Sequence, residues 1–174
     1  MQIPTPRLPG QPAVTRAELD ARLTVELASV IAGARRRAVR DGDRQIDTAH
    51  LLHSLIETDP EVRAALGPGP RVARVLGYLV QRSIGYGLRW QGSVEDSGAL
   101  PAVRGTGPGA PGWSPSAVAA LEGALERALL RGANRVAGVD LLASLADDSD
   151  CRAVEVLRRA GVDAGRLGRR MEDV

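Results

Sequence analysis

The chain contains no lysine and no phenylalanine, a single cysteine, and aromatic residues at only 2% of positions. Each shortage removes a class of function. A Gly-x-x-x-x-Gly-Lys-[Ser/Thr] phosphate loop cannot exist without the lysine that grips the phosphates. Platforms for stacking nucleic acid bases are scarce, and the core must be built from Leu, Val, Ile and Ala, which suits closely packed helices. Cys151 alone cannot close an internal disulfide, and no charged-then-apolar leader opens the chain, so a reducing cytoplasm is the expected compartment. No apolar run approaches the ~20 residues that span a bilayer. Strands are not signalled either, because apolar residues recur at helical rather than alternating spacing. The formal charge is +2, all of the basic residues being arginine; so small an excess implies no polyanion partner unless the cations cluster.

What is present is a repeat. Asp47-Thr48-Ala49-His50-Leu51-Leu52-His53-Ser54-Leu55-Ile56 returns as Ala137-Gly138-Val139-Asp140-Leu141-Leu142-Ala143-Ser144-Leu145-Ala146, an offset of 90 residues. Carried upstream without a gap, the register pairs Leu23 with Trp113, Thr24 with Ser114, and Gly33-Ala34 with Gly123-Ala124. It also pairs Arg37-Ala38 with Arg127-Ala128, Gly42 with Gly132, and Ile46 with Val136. Each copy reads as a long helix, a glycine turn and a shorter helix. Thr48 is placed to cap the second helix of the first copy, and Ser114-Pro115 is a strong helix start in the second.

In chain order, residues 1–14 form a Pro-rich, flexible arm and Thr15-Arg16-Ala17-Glu18 matches a capping box. Repeat 1 occupies 15–85, with Leu23, Leu27, Val30, Ile31, Ala34 and Ala38 as the first apolar stripe, a short helix at Glu61 to Leu66, and a fourth from Arg71 with Val72, Val75, Leu76 and Leu79 inside. Residues 86–112 form a Gly/Pro-rich linker whose second half, Gly98 to Gly112, is expected to be disordered or extended, with Tyr86 and Trp90 preceding that part and placed to anchor it. Repeat 2 occupies 113–174, its first stripe being Val118, Leu121, Leu125, Ala128 and Leu129. Arg35, Arg36, Arg37 and Arg40 crowd the end of the first long helix, where cations favour the helix dipole; the sharper alternative is a docking patch for an acidic partner or DNA phosphate. His50 and His53 share a helical face, yet no third ligand is evident, and no metal is expected. No nucleophile, base and orienting group assemble at any readable spacing, so neither enzymatic activity nor a cofactor is expected. Cys151 lies beside Asp147, Asp148 and Asp150, which disfavours a thiolate.

These residues resemble a known family. An aromatic-Thr start, alanines spaced along a helix, then Gly, Ile, Thr-Glu-His, Leu-Leu, a small residue and Leu is the pattern of the duplicated N-terminal domain of Clp-type unfoldases, the ClpA/ClpB/ClpC group. The resemblance runs from about Leu23 to about Met171. It implies an all-α, pseudo-two-fold fold built from a duplicated four-helix repeat, about eight helices in one domain, which receives substrates or adaptors for a protease-linked ATPase. His50 stands at the family's structural histidine. In ClpC-type relatives such a domain reads phosphorylated arginine with the hydroxyl after the aromatic residue and the glutamate of Thr-Glu-His. Here Thr24 and Ser114 keep the hydroxyls, but Ala49 and Val139 replace both glutamates, so the resemblance implies that phosphoarginine reading is lost or badly weakened.

The same relatives bind apolar cyclic peptides near the starts of the two first helices, where Leu23 and Trp113 stand here. With Ala49 and Val139 beside them, a ligand-binding surface of Leu23, Thr24, Ala49, Trp113, Ser114 and Val139 would favour an apolar peptide over a charged tag. The expected function is a non-catalytic Clp-associated module that binds peptide or unfolded-protein segments, sequestering apolar peptides or cyclic peptide antibiotics or presenting substrates to a Clp unfoldase and its protease. The alternatives are a receptor domain belonging to a full Clp ATPase, or a helical DNA-binding regulator using the Arg35 to Arg40 cluster. Nucleic acid is the less expected partner, and no membrane is implied.

Overall fold

The first long helix, α1 (Val25–Asp41), begins where extended Thr24 turns its hydroxyl back to accept from the Leu27 N–H, and it ends at Gly42, whose φ of 69° brings its N–H to the carbonyls of Ala38 and Val39. A hydroxyl cap at one end and a left-handed glycine at the other are the two cheapest ways to satisfy a helix's orphan groups. The computed structural model describes residues 21, 23–83, 94–95 and 112–173. The Pro-rich arm, the capping sequence at Thr15 to Glu18, and Tyr86 and Trp90 lie outside the described residues.

After α1 come the two-residue strand β1 (Gln45–Ile46), α2 (Thr48–Thr58), α3 (Pro60–Leu66) and α4 (Gly69–Ser83). The second repeat follows as β2 (Gly112–Trp113), α5 (Pro115–Leu130), α6 (Gly138–Asp147), α7 (Arg152–Arg159) and α8 (Ala164–Glu172). The fold is all-α, with eight helices among the described residues. Helices α2 and α6 form its centre: every residue from Thr48 to Ile56 is buried, and α6 is buried over nearly its whole length. A helix enclosed nearly all round is mostly apolar, its buried polar residues here being Thr48, His50, His53 and Ser54 on α2 and Asp140 and Ser144 on α6, and the leucine-rich run is accordingly the most legible part of the repeat.

Two two-residue strands, which the sequence does not signal, accompany the helices. β1 pairs with β2 in parallel, Gln45 with Gly112 and Ile46 with Trp113, and an isolated parallel bridge joins Leu23 to Val136. Two residues are too few to leave an alternating pattern. These bridges cross between the copies: the Ser114 N–H donates to the Ile46 carbonyl at 3.0 Å and the Thr24 N–H to the Val136 carbonyl at 3.2 Å. Each repeat's lead-in segment is therefore fastened ahead of the other repeat's second helix.

Two expectations are corrected. Thr48 is not the cap of α2; Asp47 is, its carboxylate accepting from the His50 N–H while His50 Nδ1 accepts from the Asp47 N–H. An aspartate one position earlier outcompeted the threonine for the cap, freeing Thr48 for a different bond. The inward face of α5 is also rotated: Ala117, Ala120, Ala124, Leu125 and Ala128 are buried, while Leu129 is 51% exposed. Small side chains allow α5 to sit close on α6, and at Gly123 a Cβ would stand 2.4 Å from Ser144 Oγ. Gly33 meets Ser54 Oγ at the same 2.4 Å in the first repeat.

Candidate functional site

Asp47 anchors a buried polar cluster at the start of α2. Its Oδ2 accepts from Arg82 at 2.5 Å and from Arg152 at 2.9 Å, arginines belonging to α4 and to the second repeat's α7. His50 is wholly enclosed, with Nε2 2.7 Å from Asp43 Oδ2 and Nδ1 2.9 Å from Asp47 Oδ1. Burial opposes a charge on either group. For Asp47 the neighbouring His50, Arg82 and Arg152 outweigh burial and hold the carboxyl well below the usual range. For His50 burial is outweighed by the Asp47 charge and the bonds to Asp43 and Asp47, so its pKa is raised. Asp41, Asp43 and His50 offer ligand atoms within 4.8 Å of one another. Arginine already supplies positive charge there, Arg82 lying 3.3 Å from Asp43 and Arg40 3.3 Å from Asp41. His53 turns instead toward Glu57 at 3.3 Å, so the two histidines do not converge.

A second cluster lies at the seam of the repeats, and sequence reasoning missed its central residue. Glu95, from the segment between the repeats, is buried, with 5% exposure. Its carboxylate accepts from the Thr48 N–H at 3.1 Å, the Thr48 hydroxyl at 2.5 Å, the Ser114 hydroxyl at 2.7 Å and the Arg152 N–H at 2.8 Å. Thr48 and Arg152 are the first residues of α2 and α7, where unpaired N–H groups and the helix dipole favour an anion. The pseudo-equivalent seat holds Asp59, whose Oδ1 accepts from the Glu61 and Val62 N–H groups at the start of α3. Its other oxygen lies so near Gly138, first residue of α6, that a Cβ there would be 2.1 Å away. A carboxylate thus sits at each meeting of two helix starts. One belongs to the cap of its own helix; the other arrives from outside either repeat, because Cys151, which occupies the cap position of α7, makes no side-chain cap bond.

The six residues expected to form a ligand surface have unequal fates. Leu23, Ala49 and Ser114 are buried, Ala49 and Ser114 completely. Thr24, Trp113 and Val139 are half-buried, and Arg35 lies over the Trp113 ring, 5.6 Å from its centre. Ser114 is committed twice, accepting from the Ala117 N–H and donating to Glu95. Arg37 pairs with Glu57 and Arg40 with Asp41, so the arginine cluster at the end of α1 is partly neutralised. Of the six, Val139 alone lines the groove of about 950 Å³ bounded by α3, α5, α6 and α8. Ala65, Leu130, Ala143 and Met171 give that groove apolar walls, with Glu61, Arg131 and Glu172 among its charged lining. Leu130, 88% exposed, stands at its mouth. The corresponding region of the first repeat is shut, with Ala49, His50 and His53 buried and Arg82 drawn down onto Asp47 from the last turn of α4.

Comparison with known proteins shows the fold to be that of the Clp N-terminal domain. The crystal structure of the N-terminal domain of the caseinolytic protease associated chaperone ClpD from Arabidopsis thaliana superposes with a TM-score of 0.59 at 21% identity, covering 86% of this chain and 92% of that one. A structure from investigations of a malarial protein secretion system superposes with a TM-score of 0.60 at 16% identity, over 88% of this chain and 97% of the other. No family model matches the sequence, and no curated protein does. Among the described residues no helix is long and apolar enough to cross a membrane.

Proposed function

We propose that this chain is a non-catalytic, Clp-associated binding module that captures apolar peptide segments, cyclic peptide antibiotics among them, and either withholds them from a Clp unfoldase or presents clients to it. The observation that carries this reading is the groove at Val139: its size is that of a ligand pocket, and Ala64, Ala65, Leu130, Val139, Ala143 and Met171 offer an apolar guest a floor among seven charged lining residues. The groove replaces the lead-in segments as the place of capture, because Leu23 and Ser114 are enclosed. The family's glutamate position has become the groove's valine, which suits an apolar guest and offers nothing to a guanidinium. A non-catalytic role fits Cys151, a buried thiol pushed up to about 11 chiefly by desolvation.

The test is fluorescence anisotropy with a panel of apolar peptides, linear and cyclic, on the wild type and on Val139→Glu. The variant should bind about tenfold or more weakly, roughly 1.4 kcal/mol or more, with its helical signal intact. Unchanged affinity in the folded variant, together with loss on Trp113→Ala, would return the site to the lead-in segments. A parallel pull-down from native lysate, read by quantitative mass spectrometry, should enrich a Clp unfoldase or its clients in a manner sensitive to Val139→Glu.

A further inference from the structure

We infer that the occupant of the Val139 groove is an apolar segment with a basic residue beside its anchor, the cation being held by Glu61 and Asp173 on the α3 and α8 walls. The inference rests on the groove reading above and deepens it, from an apolar guest to one of defined charge. Four carboxylates and three guanidiniums line the groove, and they are not equally free. Arg131 is closed on Asp140, one nitrogen lying 2.7 and 2.6 Å from its two oxygens, and Asp140 also accepts from the Ala137 N–H at 2.9 Å. Arg127 pairs with Asp147, which lies outside the lining, and stands 3.7 Å from Glu172. Arg170 donates to the Ala65 carbonyl. Each arginine therefore already has an acceptor. Glu61 and Asp173, both exposed, have no ion pair or side-chain hydrogen bond among the described residues.

The backbone adds charge of the same sign. Helix α5 ends at Leu130 with Arg131 as its cap, and α8 at Glu172 with Asp173 as its cap; all four residues line the groove. Two helix C-termini thus open on it, each with a partial negative charge. A basic group on the guest meets two unpaired carboxylates and competes with no cation for them, whereas an acidic group meets arginines that are already engaged. The first repeat shows such a region taking up a cation of its own: Arg82, from the last turn of α4, lies 2.5 Å from Asp47 and 3.3 Å from Asp43. In the second repeat α8 ends on acids instead. Val139 and Ala143 receive the apolar part of the guest, so anchor and cation are read by different residues. Charges at an exposed margin give partner choice and salt dependence more than raw affinity.

The experiment uses the full chain and three labelled peptides that share one Leu/Val-rich centre and are flanked by arginine, glutamine or glutamate. Anisotropy is read at low salt and at about 0.5 M sodium chloride, where exposed charges are screened. The wild type should bind the arginine peptide about three- to fivefold more tightly than the glutamine one, and the glutamate peptide most weakly, with the order compressed at high salt. The Glu61→Gln/Asp173→Asn double variant, its helical signal intact, should bind the glutamine peptide as the wild type does and lose the preference for arginine. Glu26→Gln, a carboxylate removed from α1 outside the groove, should keep that preference. Three peptides bound alike by the wild type, with the glutamine peptide still sensitive to Val139→Glu, would leave the groove reading standing and overturn the charge selection. A preference for arginine that survives the double variant, or falls equally in Glu26→Gln, overturns it as well. If no peptide binds, or Val139→Glu leaves the glutamine peptide unaffected, the groove reading fails and takes this inference with it. A wild-type dimer in sedimentation that Leu130→Asp dissociates would make a second copy the occupant, and would equally overturn the proposal.

Discussion

Replacing Gly33 by alanine sets two effects against each other. Alanine is favoured over glycine in a helix interior by about 1 kcal/mol, so in an open position the change stabilises. At Gly33 the new Cβ would fall 2.4 Å from Ser54 Oγ, and that hydroxyl already donates to the Val30 carbonyl at 2.7 Å. Making room forfeits that bond, about 1 kcal/mol net, and adds roughly 1–3 kcal/mol of overpacking between α1 and α2. The expected outcome for Gly33→Ala is a loss of about 1–3 kcal/mol once the propensity gain is subtracted. Ser54→Ala alone should cost about 1 kcal/mol. In the double variant the obstructing oxygen is gone and the remaining Ser54 Cβ stands 3.5 Å away, an ordinary contact. The double variant should therefore return close to wild type, giving a coupling energy of roughly 2 kcal/mol or more. Urea unfolding followed by circular dichroism measures all four proteins, and Gly77→Ala, whose Cβ would meet nothing within 4 Å, is the control that should stabilise. The same clash arises between Gly123 and Ser144, so that cycle should also show coupling, carried by overpacking. A coupling energy below about 0.5 kcal/mol would refute the idea that the serine sets the helix spacing.

Asp47→Asn should cost about 3 kcal/mol at neutral pH by leaving Arg82 and Arg152 facing a neutral amide. Because the folded carboxyl is held below its unfolded value, its contribution is full above about pH 4 and declines as the pH falls further, so wild type and variant should converge in acid unfolding. His50 has the opposite sign: burial is overcome by Asp47 and Asp43, its pKa is raised, and its stabilisation is full below about pH 6.5 and lost as pH climbs through the folded value. His50→Gln should flatten that part of the stability profile. Cys151, buried with its thiol raised to about 11, should resist alkylation at pH 8 in the native protein and react at the rate of unfolding. Ala49→Glu should destabilise by several kcal/mol, a carboxylate having no room at a fully enclosed position, while Val139→Glu should change stability by about 1 kcal/mol or less; thermal unfolding distinguishes them.

The sequence announced the repeat because α2 and most of α6 are enclosed and so admit little variation in their apolar run. Thr24 and Ser114 were legible as helix starts for the same local reason, since caps obey near-neighbour chemistry. Gly33 and Gly123 were visible as a matched pair, though only coordinates show the serine opposite each. Glu95 left no trace. It lies outside the repeat register, and its partners Thr48, Ser114 and Arg152 come from three elements far apart in the chain. The fates of Ala49 and Val139 were likewise hidden, because identical register positions become a closed interior in one copy and a groove wall in the other, a difference made partly by Arg82.

The crossed bridges, Ile46 with Trp113 and Leu23 with Val136, mean that neither half of this molecule is finished by its own residues. Each begins its first helix on hydrogen bonds lent by the other. Such an exchange is the arrangement that two separate copies of one ancestral half would make as a symmetric pair, and joining them end to end changes the molecularity of assembly without changing the contacts. Cut again between the repeats, the two polypeptides should seek each other out rather than fold apart, so this body could report on proximity, each half silent until its counterpart arrives.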